Sequence, residues 1–353
     1  MLTLSLHRSN RRPALGVAAA VAALALGATA AVAQPTVDRQ AQIHGGLYEL
    51  ASWTQDGSVW VNAVGSQFAE GAKVIQLDGS TLEQIRAIDV PDARAFGMAI
   101  NQATGTVYTT NTRDGTMSAI DIETGEVTVI SDPNADGTPH LYRIAIDESR
   151  NMVYASLAQT PGLVWAVDGS TNTLDRVIDA GGARPTGIVV DAARNRLYVS
   201  NIGDDFVSVI DLSNDAIIDR IPTAGSRSTQ MAFDPATDRL FVGNQGNHGV
   251  TVIDLEEMRA VKFIPTGDQP VGIGFNPVSN QIYTANRAGG TVTVIDAESY
   301  EEVAELEIGS NPNTIFVDES TGLVYVSNKA ARSPQGQEPT QDPRGDMVTI
   351  IRP

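Results

Sequence analysis

"RLYVSNIGDDFVSVIDLSNDAIIDRIPTAG" runs from Arg196 to Gly225, and the chain rewrites it twice more. "RLFVGNQGNHGVTVIDLEEMRAVKFIPTG" starts at Arg239 and "QIYTANRAGGTVTVIDAESYEEVAELEIG" at Gln281. Within each copy, runs such as Val207-Ser208-Val209-Ile210 alternate as half-buried strands do, and Gly, Asn, Asp and Ser cluster between the runs as tight hairpins require. The recurring aromatic of the copy extends to Trp60, Tyr108, Tyr154, Tyr198, Phe241, Tyr283 and Tyr325, about 42–48 residues apart. A second column closes each third strand: Asp78, Asp121, Asp168, Asp211, Asp254 and Asp296, with Arg352 in the seventh place.

The spacing fits four-stranded units, and these columns predict an all-β chain, a seven-bladed β-propeller with antiparallel blades. In the fourth blade the strands are expected at Thr186–Val190, Arg196–Ser200, Phe206–Asp211 and Ala216–Ile221. One such sheet cannot bury both faces, whereas seven stacked radially can. The last copy ends after its third strand, "DMVTIIRP", so its fourth is expected from "TVDRQAQI", Thr36 to Ile43, closing the ring. Along each first strand one face is bulky (Leu50, Met98, Ile144 and their equivalents) and is assigned to the space between blades. The other is small (Ala51, Ala99, Ala145) and is assigned to the narrow centre. The seven aromatics read as packing between blades, and the Asp column as turn chemistry, its side chains capping backbone amides.

Arg8, Arg11 and Arg12 precede an apolar stretch, Ala14 to about Ala28, and Ala31-Val32-Ala33 offers small residues where a signal peptidase looks. Residues 1–33 therefore read as a signal peptide cleaved before Gln34, and residues 34–353 as one exported propeller domain, periplasmic or secreted. The stretch is too short for a good membrane span, and no span is expected after cleavage. Arg11-Arg12 hints at a twin-arginine route, against which Pro13 counts, so the route stays open. There is no Cys, which excludes disulfides, thiolate metal sites, c-type haem and lipid anchoring through cysteine. Losing the three leader arginines takes the net charge from −18 to about −21, repelling membranes and nucleic acid on average.

"LYVSN", "IYTAN", "VYTTN" and "VYVSN", each followed by a "VTVID"-type strand, resemble the YVTN repeat of seven-bladed β-propellers. The chain is similar in particular to YncE-like exported bacterial proteins, over the whole of residues 34–353 and best in "NPVSNQIYTANRAGGTVTVIDAESYEEV". The resemblance implies a periplasmic propeller and, from the best-known member of the group, single-stranded DNA binding. The motif specifies fold rather than function. The chain departs from it at Ala63 and Leu157, where the terminal Asn is missing.

Candidate chemistry gathers at one mouth of the expected channel. Directly above the small face lie Glu49, Gly97, Arg143, Gly187, Gln230, Gly272 and Thr314. Three glycines there would leave room, with Arg143 to hold an anion and Glu49 to orient it; the alternative is a solvated rim. The loops of that face carry Arg94, Arg113, His140, Arg184, Arg227, Arg287, Lys329, Arg332 and Arg344, mixed with Asp92, Asp114, Asp204, Asp205 and Asp268. The opposite turns, "DIETGE", "DLEEMR", "DAESYE", "DESR" and "DEST", are strongly acidic, so the arginines are expected mostly on one side. Single-strand binding also needs stacking platforms, for which only Trp53, Phe68 and Tyr142 stand near loops or rims.

Three readings follow. The chain is a binding module for an anionic ligand or single-stranded nucleic acid at the arginine-lined mouth. It is otherwise a cofactor-independent lyase or hydrolase for a small anionic substrate, with His140, Arg143 and Glu49 as candidates, or an envelope scaffold binding proteins. No HExxH pair, GxSxG elbow or phosphate loop is written in the sequence, and no cofactor or metal is expected. Two longer segments, 63–72 and the Pro/Gln-rich insertion 329–346, overhang the same mouth, as a tolerated insertion or as an arm for a protein partner.

Overall fold

The structure, a computed structural model, describes Thr3 and residues 34–65, 71–90, 95–331 and 341–353. The leader reading of 1–33, Arg94, Asp92, Phe68, Arg332 and the middles of both long loops lie outside the described residues. The described residues form seven four-stranded antiparallel sheets and no helix. No helix among them is long and apolar enough to cross a membrane.

The innermost strands of blades 1 to 7 are Leu47–Trp53, Ala95–Asn101, Leu141–Asp147, Pro185–Asp191, Ser228–Asp234, Pro270–Asn276 and Pro312–Val317. Each touches the innermost strand of the next blade, and that of blade 7 touches that of blade 1, so the ring is shut. The fourth blade is Pro185–Asp191, Arg196–Asn201, Phe206–Asp211 and Ala216–Pro222, within a residue of the expected bounds at every end. Thr36–Gln42 pairs antiparallel with Met347–Arg352 and supplies the outermost strand of blade 7. Gln40 Nε2 strengthens the join by donating to the Ile308 carbonyl at 2.8 Å and to Thr349 Oγ1 at 3.0 Å.

Seven apolar clusters fill the seams between blades, and each is built from two neighbouring sheets. Tyr325 and Ile350 of blade 7, for example, pack on Leu47, Leu50 and Val59 of blade 1. All seven repeated aromatics are at most 2% exposed. Two of the hydroxyls reach across the seams: Tyr108 donates to Asn172 Oδ1 at 2.7 Å and Tyr325 to the Gly79 carbonyl at 2.9 Å, whereas Tyr283 donates to Gln281 of its own strand at 2.7 Å. Each ring buries a large apolar body in its seam.

The Asn and Asp columns are also structural. Asn201, Asn244 and Asn286 are fully buried, and their amides donate to Ser208, Thr251 and Thr293 on the next strand at 2.7–2.9 Å. Asp78 Oδ1 accepts from the Ser80 hydroxyl and from the Ser80 and Thr81 amides at 2.7–2.9 Å. Those bonds, the Ser80 hydroxyl first, hold its carboxyl at about 2.

Candidate functional site at the channel

The upper end of every innermost strand breaks register with its neighbour, and the break comes in two widths. In blades 2, 4, 6 and 7 one residue is skipped, and Gly97, Gly187, Gly272 and Thr314 stay paired within the sheet. In blades 1, 3 and 5 pairing lapses over two residues, Tyr48-Glu49, Tyr142-Arg143 and Thr229-Gln230. A bulge re-aims side chains. Here it brings the large polar residues of three alternate blades together across the centre.

Glu49 is the hub. Its Oε1 accepts from Arg143 Nη1 in a buried ion pair and from Gln230 Nε2 at 3.3 Å. Gln230 Oε1 in turn accepts from the Ile273 amide of blade 6 at 3.3 Å. Burial pushes the Glu49 carboxyl up, opposed in turn by Arg143, the Gln230 hydrogen bond and Lys329. The three side chains form a polar plug in the channel.

Above the plug sits an aromatic and cationic layer. Tyr48 and Phe96 meet edge to face, ring centroids 4.2 Å apart. Lys329 Nζ lies 3.0 Å from the centroid of the Tyr48 ring, and the Arg143 guanidinium carbon 5.7 Å from that of Tyr142. Arg287 is half-buried beside them, donating from Nη2 to Asn313 Oδ1, while its buried Nε has no partner among the described residues. Burial holds this guanidinium below its ordinary value, partly offset by Tyr142 and Tyr48 and reinforced by Arg143. A space of about 10 Å³ remains among Tyr48, Glu49, Phe96, Tyr142, Arg143 and Asn313, room for about one water.

Below the plug the channel widens to a cavity of about 480 Å³. Glu49, Arg143 and Gln230 border it at one end; at the other are Gln102, Glu148 and Glu319, in the turns that follow the innermost strands. Both faces of those strands line it, Leu50 with Ala51 and Met98 with Ala99, so the expected division into an inter-blade and a central face is incomplete.

Several sequence expectations change. Gly97 and Gly187 leave no room for a ligand: a Cβ there would lie 2.0 Å from the Tyr142 carbonyl oxygen and 2.5 Å from that of Thr229. Glycine is needed because the next blade's backbone approaches so closely, and Gly272 meets the Asn313 carbonyl in the same way. Thr314 is fully buried and accepts from the Asn313 amide at 3.1 Å. Trp53 is no rim platform: it is 8% exposed and packs in the seam with Met98 and Ile100. The platforms that sequence reasoning missed are Tyr48 and Phe96. With Tyr142 they form a column one residue before Glu49, Gly97 and Arg143, a signal visible in the sequence once the bulges are known.

The remaining rim residues are dispersed. Arg113, Arg184, Arg227 and His140 are exposed. Arg227 donates to Gln245 Oε1 at 3.1 Å, and Arg344 pairs with Glu307 at 3.3 Å. His140 has an open surface, yet the protein beneath desolvates its ring; this and nearby Arg184 hold the imidazole below its ordinary range. Among the described residues it makes no ion pair or side-chain hydrogen bond with Glu49 or Arg143. Guanidinium groups also stand on the acidic side. Arg150, Arg194 and Arg239 lie within 3.0 Å of Asp147, Asp191 and Asp254, and Arg259 pairs with Glu257. The two sides thus differ in how their arginines are neutralised rather than in having them. Arg113 and Arg184 form no ion pair among the described residues. No group of three or more acidic, His or Cys side chains among the described residues could hold a metal ion.

The family model described as YNCE-like beta-propeller matches residues 118–321. The chain is 32% identical over 182 residues to "Uncharacterized protein YncE" of Escherichia coli (strain K12), covering 50% of this chain and 51% of that one. It is 32% identical over 176 residues to the protein of the same name from Salmonella typhi, covering 48% and 50%. The matches span about half the length of these relatives.

Proposed function

The chain belongs to the YNCE-like β-propeller family, and from that premise we propose that it is an exported bacterial binding module for single-stranded nucleic acid. The observation that carries this reading is the layer over the plug. Half-buried Tyr48, Phe96 and Tyr142 stand beside Arg287 and Lys329, and the Arg287 Nε lacks a partner among the described residues. Bases stack on aromatic rings while cations track phosphates, and a strand with unpaired bases satisfies both. The exposed Arg113, Arg184 and Arg227 add dispersed cations on loops of the same face. Export is supported by the basic, apolar and small-residue order of residues 1–33.

Fluorescence anisotropy with a labelled oligonucleotide, titrated with salt, tests the binding. Affinity is expected to fall as salt rises, because each neutralised phosphate releases condensed counterions. Arg287→Ala should weaken binding and lower the salt slope by about one contact. Phe96→Ala should lose about 1–3 kcal/mol of stacking with little change in slope. Absent binding, or binding that ignores both substitutions, rejects the reading. The first residue of protein recovered from the periplasm should be Gln34; an intact N-terminus rejects export by cleavage.

A further inference from the structure

The cavity beneath the plug is separate from the mouth just described, and its chemistry is the reverse. Its walls are mixed: Met98, Ile144, Ile188, Met231, Ile315 and Phe316 line its middle, and polar groups make up the rest. At about 480 Å³ it lies within the range of small-molecule sites. Three carboxylates border it, Glu49, Glu148 and Glu319, against one guanidinium, that of Arg143, which is committed to Glu49. The charge left over is that of Glu148 and Glu319. Both are exposed, and neither forms an ion pair among the described residues. They follow the innermost strands of blades 3 and 7, as far apart as two of seven blades can be, so the surplus charge spans the opening.

We propose that this cavity binds a small organic cation with an aliphatic body, its ammonium group drawn to the opening that Glu148 and Glu319 flank and its chain against the apolar side chains of the wall. An anion is disfavoured by the rim charge. A neutral chain gains only the wall contacts. At the inner end the Glu49–Arg143 pair is neutral as a whole and attracts no second charge, while Gln230 closes that end off from the mouth above. The acidic surface around the opening raises the local concentration of cations and speeds their entry. This site does not depend on nucleic-acid binding, which uses the other end of the channel.

Hexylammonium, hexanol and hexanoate, equal in chain length and different in charge, are the probes. Calorimetric titration of the mature protein should rank them in that order, with hexylammonium about tenfold tighter than hexanol and hexanoate not bound. Glu148→Gln and Glu319→Gln lie at exposed turns, so the fold is kept, and each should weaken hexylammonium about three- to tenfold. Arg287→Ala should leave it unchanged. With methyl-labelled methionine, the Met98 and Met231 signals should shift on titration, which places the probe in the channel. Equal binding of the three probes, no binding, unchanged affinity in the double Gln variant, or binding that leaves both methyl signals in place would each overturn the proposal.

Discussion

The two ends of the channel are built from the same seven strands and solve opposite problems. At the upper end, charge is taken inside: Glu49 and Arg143 are 7% and 9% exposed, and wide bulges in blades 1, 3 and 5 are needed to bring them together. At the lower end Glu148 and Glu319 stay in water, while the buried Asp147 and Asp191 are held by Arg150 and Arg194 of their own turns. Removing a buried partner strands the other in low dielectric, whereas an exposed carboxylate is already solvated. Equal chemistry at the two ends therefore carries unequal energy.

The largest expected effect breaks the plug. Glu49→Ala leaves Arg143 buried without its carboxylate and should lower unfolding free energy by about 3–5 kcal/mol. Glu148→Gln at the other end should stay within about 0.5 kcal/mol. Urea denaturation of both variants measures the contrast, and equal losses would mean that the plug is not a closed network. Next comes the steric difference. Gly97→Ala pushes a methyl into the Tyr142 carbonyl of the adjoining blade and should cost about 1–3 kcal/mol by the same assay. A neutral outcome would show that the blades can separate there.

The smallest effect is in pH dependence, where the two ends have opposite sign. Glu49 is held above its ordinary 4.5, so its contribution to stability is full below 4.5 and is lost as pH rises through the folded value. Asp78 is held at about 2 against 3.8, so its contribution is present above 3.8 and is lost as pH falls toward 2. Urea midpoints followed across acid pH should show the first slope vanish in Glu49→Gln and the second diminish in Asp78→Ala. A Glu49→Gln protein that keeps its slope above 4.5 would assign that slope to another group.

Blade number, strand bounds and the closing strand were legible because each rests on a local rule repeated seven times: period two within strands, turn residues between them, an aromatic at fixed spacing. The resemblance to a propeller family gave the same fold, and the family match agrees. The plug was half legible. Glu49, Arg143 and Gln230 stood out as large polar residues in a column otherwise of Gly and Thr. That they bond to one another across three blades depends on bulge width, which no single residue encodes. Tyr142 was named as a platform, but its companions Tyr48 and Phe96 were missed for the same reason, since strict alternation would turn them away from the residues that follow. Gly97 and Gly187 were read as space, when the approach of a neighbouring backbone fills it.

The closing strand also sets how the ring yields to tension. Thr36 lies directly opposite Arg352, so the start of the closing strand and the end of its partner leave from the same end of blade 7. A pull applied to the two ends meets the antiparallel ladder at its first rung and opens it rung by rung, like a zipper, instead of shearing all its hydrogen bonds together. A wheel stitched tight along every spoke thus gives way at its fastening first, with the other six sheets still packed.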